Sequence, residues 1–156
     1  MQTLRLSILI DAGKQDTWDV LLQDKTYRIW TSVFHPGSYA ETDWREGSSV
    51  LFKTPEGDGL ISTIIRHQPC KVISMQHLGV LKNGVEDNTG VDAKNWQGLY
   101  EIYRVDEENS KTRLTVELDI ADKYAEWFNK TWLKALEEVK LLCEKRPAAV
   151  MENNLK

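Results

Sequence analysis

The stretch KTRLTVELDIADKYAEWFNKTWLKALEEVKLLCEK, residues 111–145, decides the fold. In its first part Leu114, Val116, Leu118 and Ile120 alternate with Arg113, Thr115, Glu117 and Asp119. Alternation with period two describes a strand with one apolar face and one solvated face. After Asp122, a candidate helix cap, the period changes. Phe128, Trp132, Ala135, Leu136, Val139 and Leu142 recur at three- and four-residue spacing, and Lys130, Lys134, Glu137, Glu138 and Lys140 cover the other side. That spacing predicts an amphipathic helix over residues 123–145. Lys145 and Arg146 suit the negative end of its dipole, and Pro147 is expected to stop it. At ~1.5 Å per residue the helix is roughly 35 Å long, enough to cross about seven strands spaced by ~4.8 Å.

Upstream, residues 38–120 read as strands and turns. Strands are expected near 39–46, 49–54, 59–68, 71–78, 96–105 and 112–120, separated by Glu46-Gly47-Ser48, the run Pro55 to Gly59, Pro69 and Glu108-Asn109-Ser110. Short connections between successive strands imply an antiparallel meander. The segment Gly79–Asn95, with Asn83-Gly84, Gly90 and Asp92 and few large apolar groups, reads as a long loop of the kind that binds or moves.

The chain begins with another alternating segment, in which Leu4, Leu6, Ile8 and Ile10 share a face. Two short helices follow. One spans Lys14 to Leu22, and Asp24 is read as the N-cap of the other, which carries Tyr27, Ile29, Trp30 and Val33. His35-Pro36-Gly37 ends the second. The whole order is strand, two helices, six strands and one long helix. A curved antiparallel sheet must cover its concave face, and only the last helix is large enough to do so.

Composition limits the function classes. A chain of 156 residues fits one domain, which needs neither metal nor disulfide to fold. The expected organisation is one domain over residues 1–146 and a flexible tail over 147–156. A net charge of −4 offers no basic face for nucleic acid. Cys70 and Cys143 stand far apart without metal-ligand spacing, and His35, His67 and His77 supply no third ligand. No metal and no cofactor are therefore expected. Nor is a membrane span or a signal peptide, and a cytoplasmic location is the default expectation. No nucleophile elbow, catalytic-cysteine context or phosphate loop is present.

Several residues in order carry a family resemblance. They are Trp18-x-x-Leu21, Trp30, Trp44-Arg45-Glu46-Gly47-Ser48 before Val50-Leu51-Phe52, Pro69 between two strands, Thr112 to Val116, and Phe128-x-x-x-Trp132-x-x-x-Leu136. Together they resemble the START-like, or SRPBCC, superfamily. Within it they are most similar to the branch named for the C-terminal domain of the activator of heat-shock protein 90 ATPase. The resemblance runs from about residue 4 to 145. It implies an α+β helix-grip (Bet v-like, START-like) fold of order β-α-α-β6-α, with a deep cavity between sheet and helix that often holds a hydrophobic small molecule. The superfamily includes lipid carriers, hormone receptors, cyclases and hydrolases, and fold alone does not choose among them.

In such a fold the core and the cavity wall share one face. The candidate ligand-binding residues are therefore Trp30, Phe34, Trp44, Phe52, Trp96, Tyr103, Leu114, Val116, Phe128 and Trp132. Any single tryptophan is more readily core than ligand contact, and Trp127 falls off the main helical stripe. Glu101 is the one candidate catalytic residue, with Tyr100, Ile102 and Tyr103 around it. Facing inward, it would be a carboxyl in an apolar pocket with a raised pKa. Facing outward, it would pair with Arg113, and the reading favours this second arrangement. His67 and His77 are read as surface or structural histidines. The primary expectation is a binding module for an apolar, aromatic or lipid-like molecule. A cyclase- or hydrolase-like enzyme using the same cavity, and a chaperone-associated protein-binding domain, are the alternatives. The last is ranked low because the chain lacks the extra N-terminal domain of such co-chaperones.

Overall fold

The computed structural model describes the backbone of residues 1–154 and the side chains of residues 1–145. The chain opens with β1 (Gln2–Ile10), α1 (Lys14–Leu22) and α2 (Asp24–Trp30), which tightens into a single 3-10 turn at Thr31–Val33. β2 (Tyr39–Glu41), β3 (Ser49–Lys53), β4 (Gly59–Gln68), β5 (Val72–Lys82) and β6 (Val85–Asp87) follow. A one-turn α3 (Val91–Lys94) precedes β7 (Tyr100–Glu108), β8 (Lys111–Ile120) and α4 (Asp122–Asn154). The strands form one antiparallel sheet in the order β1-β8-β7-β5-β4-β3-β2, with β6 paired only to β5. The first strand thus closes one edge beside the last, and α4 packs across the concave face. This is the helix-grip fold.

Register sets the concave face. Glu101 lies opposite Met75 on one side and Leu118 on the other, and Tyr103 lies opposite Ile73 and Val116. Side chains opposite one another in adjacent strands share a face. Ile73, Met75, Tyr103, Val116 and Leu118 are all buried, so this is the inner face. It carries two different fillings. Under the later turns of α4, Ala135, Leu136, Val139 and Cys143 belong to one core cluster with Ile10, Val20, Leu21, Leu114 and Ile120. Under the earlier turns the filling is aromatic and incomplete.

Four expectations are corrected in detail. Asp24 does not cap α2: Gln23 holds that position, and Asp24 instead accepts from Arg28 Nε, one turn on, at 2.9 Å. The loop expected at 79–95 is mostly structured. β5 continues to Lys82 and turns at Asn83-Gly84, whose φ of 52° and 78° suit the tight primed turn that joins strands. The Asn-Gly pair marks that hairpin, although β6, three residues long and mostly polar, is too short to show alternation. The strand expected from 96 begins only at Tyr100, because Trp96 and Gln97 close the turn after α3 and Gly98 has a φ of 80°. The backbone of α4 stays helical through Pro147. A proline there removes one main-chain donor, which bends or weakens a helix without always ending it. The side chains of the expected tail, 147–156, and the backbone of its last two residues lie outside the described residues.

Candidate functional site

α2 and the 3-10 turn carry Tyr27, Trp30 and Phe34 to one end of the concave face. The β3–β4 hairpin brings Phe52, Lys53, Gly59 and Leu60 from the side. From below, β7 presents Glu101 and Tyr103, and from above the first turns of α4 present Phe128 and Trp132. Between them lies a cavity of about 180 Å³, open to solvent past His35, Ser38, Tyr39 and Thr54. The hairpin needs a glycine at 59, since a Cβ there would stand 1.7 Å from the Phe52 carbonyl oxygen.

The inner wall is a set of rings in mutual contact. Trp132 meets Trp30 at 5.6 Å, Tyr103 at 5.7 Å and Phe34 at 5.1 Å between centroids. Tyr27 meets Trp30 edge-on at 5.1 Å and stacks over Phe52 at 6.5 Å. These are the offset and edge-to-face separations that aromatic quadrupoles favour. The indole N–H groups of Trp30 and Trp132 are buried and make no hydrogen bond. Such groups carry a desolvation cost of about 1–3 kcal/mol each.

Glu101 stands among these rings. Two-residue spacing on β7 puts it on the face of Tyr103, and Tyr103 Oη donates to its Oε2 at 2.5 Å. Burial disfavours the carboxylate and pushes its pKa up to about 7, while the Tyr103 hydrogen bond opposes the rise in part. Burial also holds the hydroxyls of Tyr27 and Tyr103 well above the usual phenol range, and the nearby Glu101 charge adds to this. The outward arrangement favoured from sequence is thus overturned. Arg113 pairs instead with Glu108, through Nε at 2.7 Å and Nη2 at 3.0 Å. Tyr100 and Ile102 mask the alternation of β7, and only the pairing with Met75 and Leu118 resolves it.

Of the ten ring and aliphatic candidates, Trp30, Phe34, Phe52, Tyr103, Phe128 and Trp132 line the cavity. Four do not. Leu114 and Val116 have no exposed surface and lie in the core away from the cavity lining. Trp44, in the turn before β3 with a φ of 60°, packs on Tyr27 from outside the cavity. Its carbonyl accepts from His67 Nδ1 at 2.6 Å, and Trp18 Nε1 donates to His67 Nε2 at 3.2 Å. His67 is therefore a clip between α1 and this turn. Trp96 stacks on Tyr124 at 5.7 Å and meets His77 edge-on at 5.8 Å. It closes a separate region, where His77 Nδ1 and Ser62 Oγ share a buried hydrogen bond of 2.6 Å. Burial lowers the His77 pKa to about 4, partly opposed by Asp119. The main residue the sequence did not reveal is Tyr27, whose ring reaches the cavity from a helix too short to display a period.

Among the described residues, no three His, Cys, Asp or Glu side chains gather as a metal site, and no helix is long and apolar enough to cross a membrane. Cys70 Sγ donates to Gln15 Oε1 at 3.3 Å, and Cys143 is buried in the core.

Fold and cavity together define a helix-grip domain with a small, ring-walled pocket. Comparison with solved structures agrees on the fold. The chain is similar to the Aha1 dimer from Colwellia psychrerythraea, with a TM-score of 0.69 and 18% identity over 92% of this chain and 97% of that one. It is similar to protein MLL2253 from Mesorhizobium loti, with a TM-score of 0.73 and 12% identity over 93% and 98%. It also resembles DynU16, a protein of the dynemicin biosynthetic locus, with a TM-score of 0.67 and 11% identity over 92% of this chain and 48% of that one. These likenesses establish the helix-grip fold alone. No family model and no curated protein matches the sequence.

Proposed function

We propose that the protein binds a small ring-bearing molecule in the cavity between α2, β7 and the first turns of α4. The carrying observation is the contrast in filling along one concave face. Beneath the later turns of α4 the buried residues are the smaller Ala135, Leu136, Val139 and Cys143, whereas around its beginning eight aromatic side chains line about 180 Å³ of open space. A dry cavity of roughly 150 Å³ lined by apolar side chains suffices for benzene. Pockets for drug-sized molecules run from about 300 Å³ upward. A single ring fits inside, while a sterol or long acyl chain would leave most of its surface outside. This narrows the lipid-like class expected from sequence. A likeness to a protein of a biosynthetic locus is in keeping with such a role.

Trp30 and Trp132 in the wall provide the readout. Titration with benzyl alcohol is expected to shift or quench tryptophan emission saturably. Native mass spectrometry of the purified protein is expected to detect a bound small molecule. Absence of saturation by any one-ring compound, together with a cavity found filled by its own side chains in a crystal structure, would remove the proposal.

A second reading rests on Glu101. A carboxyl whose pKa is near 7 is suited to giving or taking a proton, as a general acid or base requires. If the cavity is catalytic, Glu101→Gln abolishes turnover while leaving the affinity for a neutral one-ring ligand within a few-fold. His77 takes no part in this reading, because it is held by Ser62 beneath Trp96, outside the cavity.

A further inference from the structure

We infer that the ligand is an organic ammonium ion, a primary or methylated amine on a small aromatic or alkyl body, with its cationic head against Glu101 inside the ring cage. The inference rests on the binding function proposed above and names the chemical class of the ligand.

Three observations carry it. First, the one interior ionisable group of the cavity that can bear charge near neutral pH is a carboxyl. Tyr103 occupies Oε2 of Glu101, and among the described residues no hydrogen bond engages Oε1. The basic side chains at the cavity mouth are engaged elsewhere: Lys53 on Glu41 at 3.1 Å, and His35 beside Glu56 at 3.5 Å. Second, Tyr27, Trp30, Phe52, Tyr103 and Trp132 line the same cavity as Glu101, with Tyr103 bonded to it. Ring faces attract a cation through their quadrupole, most strongly where water is excluded, and aromatic cages recognise alkylated ammonium ions by this means. Third, the space is small. Excluding water strengthens a charge pair within it, and a buried carboxylate without a partner is costly. An ammonium ion compensates the carboxylate and is itself stabilised by the rings. A neutral alcohol gains a hydrogen bond only. A carboxylate ligand meets a like charge with no interior cation to offset it.

The raised pKa of Glu101 supplies a signature. The ionisable side chains around it are Tyr27 and Tyr103, both kept neutral by burial, with His35 and Lys53 at the rim. Below its midpoint Glu101 carries a proton. An arriving ammonium ion favours the carboxylate, so that proton passes to the buffer.

The test is calorimetric titration of the whole chain with benzylammonium, benzyl alcohol and benzoate, which differ chiefly in the head group. Benzylammonium is expected to bind at least about tenfold more tightly than benzyl alcohol, given charge-assisted hydrogen bonding and cation–π attraction, with benzoate weakest. In Glu101→Gln the ammonium preference is expected to vanish while benzyl alcohol still binds. At about pH 6, the apparent enthalpy of benzylammonium binding is expected to vary with the ionisation enthalpy of the buffer, reporting proton release. This arm uses the wild-type protein, so it decides the matter even where the variant fails to fold. Alcohol binding as tight as the amine, benzoate binding tightest, no proton release, or a preference that survives Glu101→Gln would each overturn the amine assignment and leave the cavity's binding role standing. Failure of all three compounds to bind would remove both.

Discussion

Glu101 and His77 lie on the same concave face, one pleat apart along neighbouring strands, and burial shifts their pKa values in opposite directions. Glu101 rises to about 7 and His77 falls to about 4. The cause is shared, since removal from water favours the neutral form of either group. What differs is the cover. His77 is almost wholly buried, bonded to Ser62 and roofed by Trp96. Among the described residues, Glu101 keeps one oxygen free in a cavity that reaches solvent. One sheet thus holds a polar pair built to be closed beside a polar group left available. Burial alone does not mark a site; burial with an unused bonding direction and open space does.

The largest expected effect tests the wall the two regions lean on. Trp132 touches Trp30, Phe34 and Tyr103 and is almost wholly buried. Trp132→Ala is expected to cost about 3–5 kcal/mol in a denaturant titration, as for other large buried aromatics. A loss under about 1 kcal/mol would mean that the ring cage is soft and the cavity is not a formed site.

The opposed pKa shifts predict opposed pH dependences. Between about 4.5 and 7 the native state holds a proton on Glu101 that the unfolded chain has released. Stability from this group is therefore full below 4.5 and falls as pH rises to 7, by about 1.4 kcal/mol per unit and about 3 kcal/mol in all. His77 acts the other way. Between about 4 and 6.5 the unfolded imidazole is protonated and the native one is not, so its contribution is present above 6.5 and is lost as pH falls to 4. The two slopes nearly cancel between 4.5 and 6.5. Glu101→Gln removes one of them. The variant is expected to match the wild type at low pH and exceed it by about 2–3 kcal/mol above pH 7. Equal stability curves would show that Glu101 ionises as an ordinary surface carboxylate.

Much of this arrangement was legible in the sequence, and the gaps have physical reasons. The alternation in β8 and the three-and-four spacing in α4 were clear because each element has one wet and one dry face along its length. β7 hid its orientation because Tyr100 and Ile102 are apolar on the outer face while Glu101 is polar on the inner one. The cavity residues split in the same way. Trp30, Phe34, Phe52, Tyr103, Phe128 and Trp132 follow from a ring-rich concave face. Excluding Leu114 and Val116 requires knowing how far the core extends along α4, and excluding Trp44 and Trp96 requires knowing which turn each one closes. Those are tertiary facts that no local period encodes.

Ser62 tests the closed half of the comparison at intermediate scale. Ser62→Ala leaves His77 Nδ1 without its 2.6 Å partner in a buried setting. The expected cost is about 1–3 kcal/mol, the range for an unsatisfied buried polar group. Because the cavity does not use these residues, affinity for a one-ring ligand is expected to be unchanged. A change in affinity of tenfold or more would join the two regions into one functional unit.

The smallest expected effect isolates the hydrogen bond that holds Glu101 in place. In Tyr103→Phe the ring stays, so its contacts with Trp30 and Trp132 at 6.3 and 5.7 Å are preserved. Only the hydroxyl that donates to Glu101 Oε2 is lost. That bond favours the charged carboxylate and lowers its pKa against the pull of burial. Its removal therefore moves the Glu101 midpoint upward from about 7, and extends to higher pH the range in which stability falls. At low pH, where the carboxyl is neutral in both proteins, the stability difference is expected to stay near 1 kcal/mol, the usual net worth of one hydrogen bond. Above the midpoint the difference grows, since a hydrogen bond to a charged group is worth about 1.5–3 kcal/mol. Carbon-13 shifts of the Glu101 carboxyl followed against pH read the midpoint directly. A midpoint that falls in Tyr103→Phe would mean that water replaces the lost hydroxyl and solvates the carboxylate. The cavity would then be wetter than its ring-lined wall implies, and the contrast with the sealed His77 would be greater still.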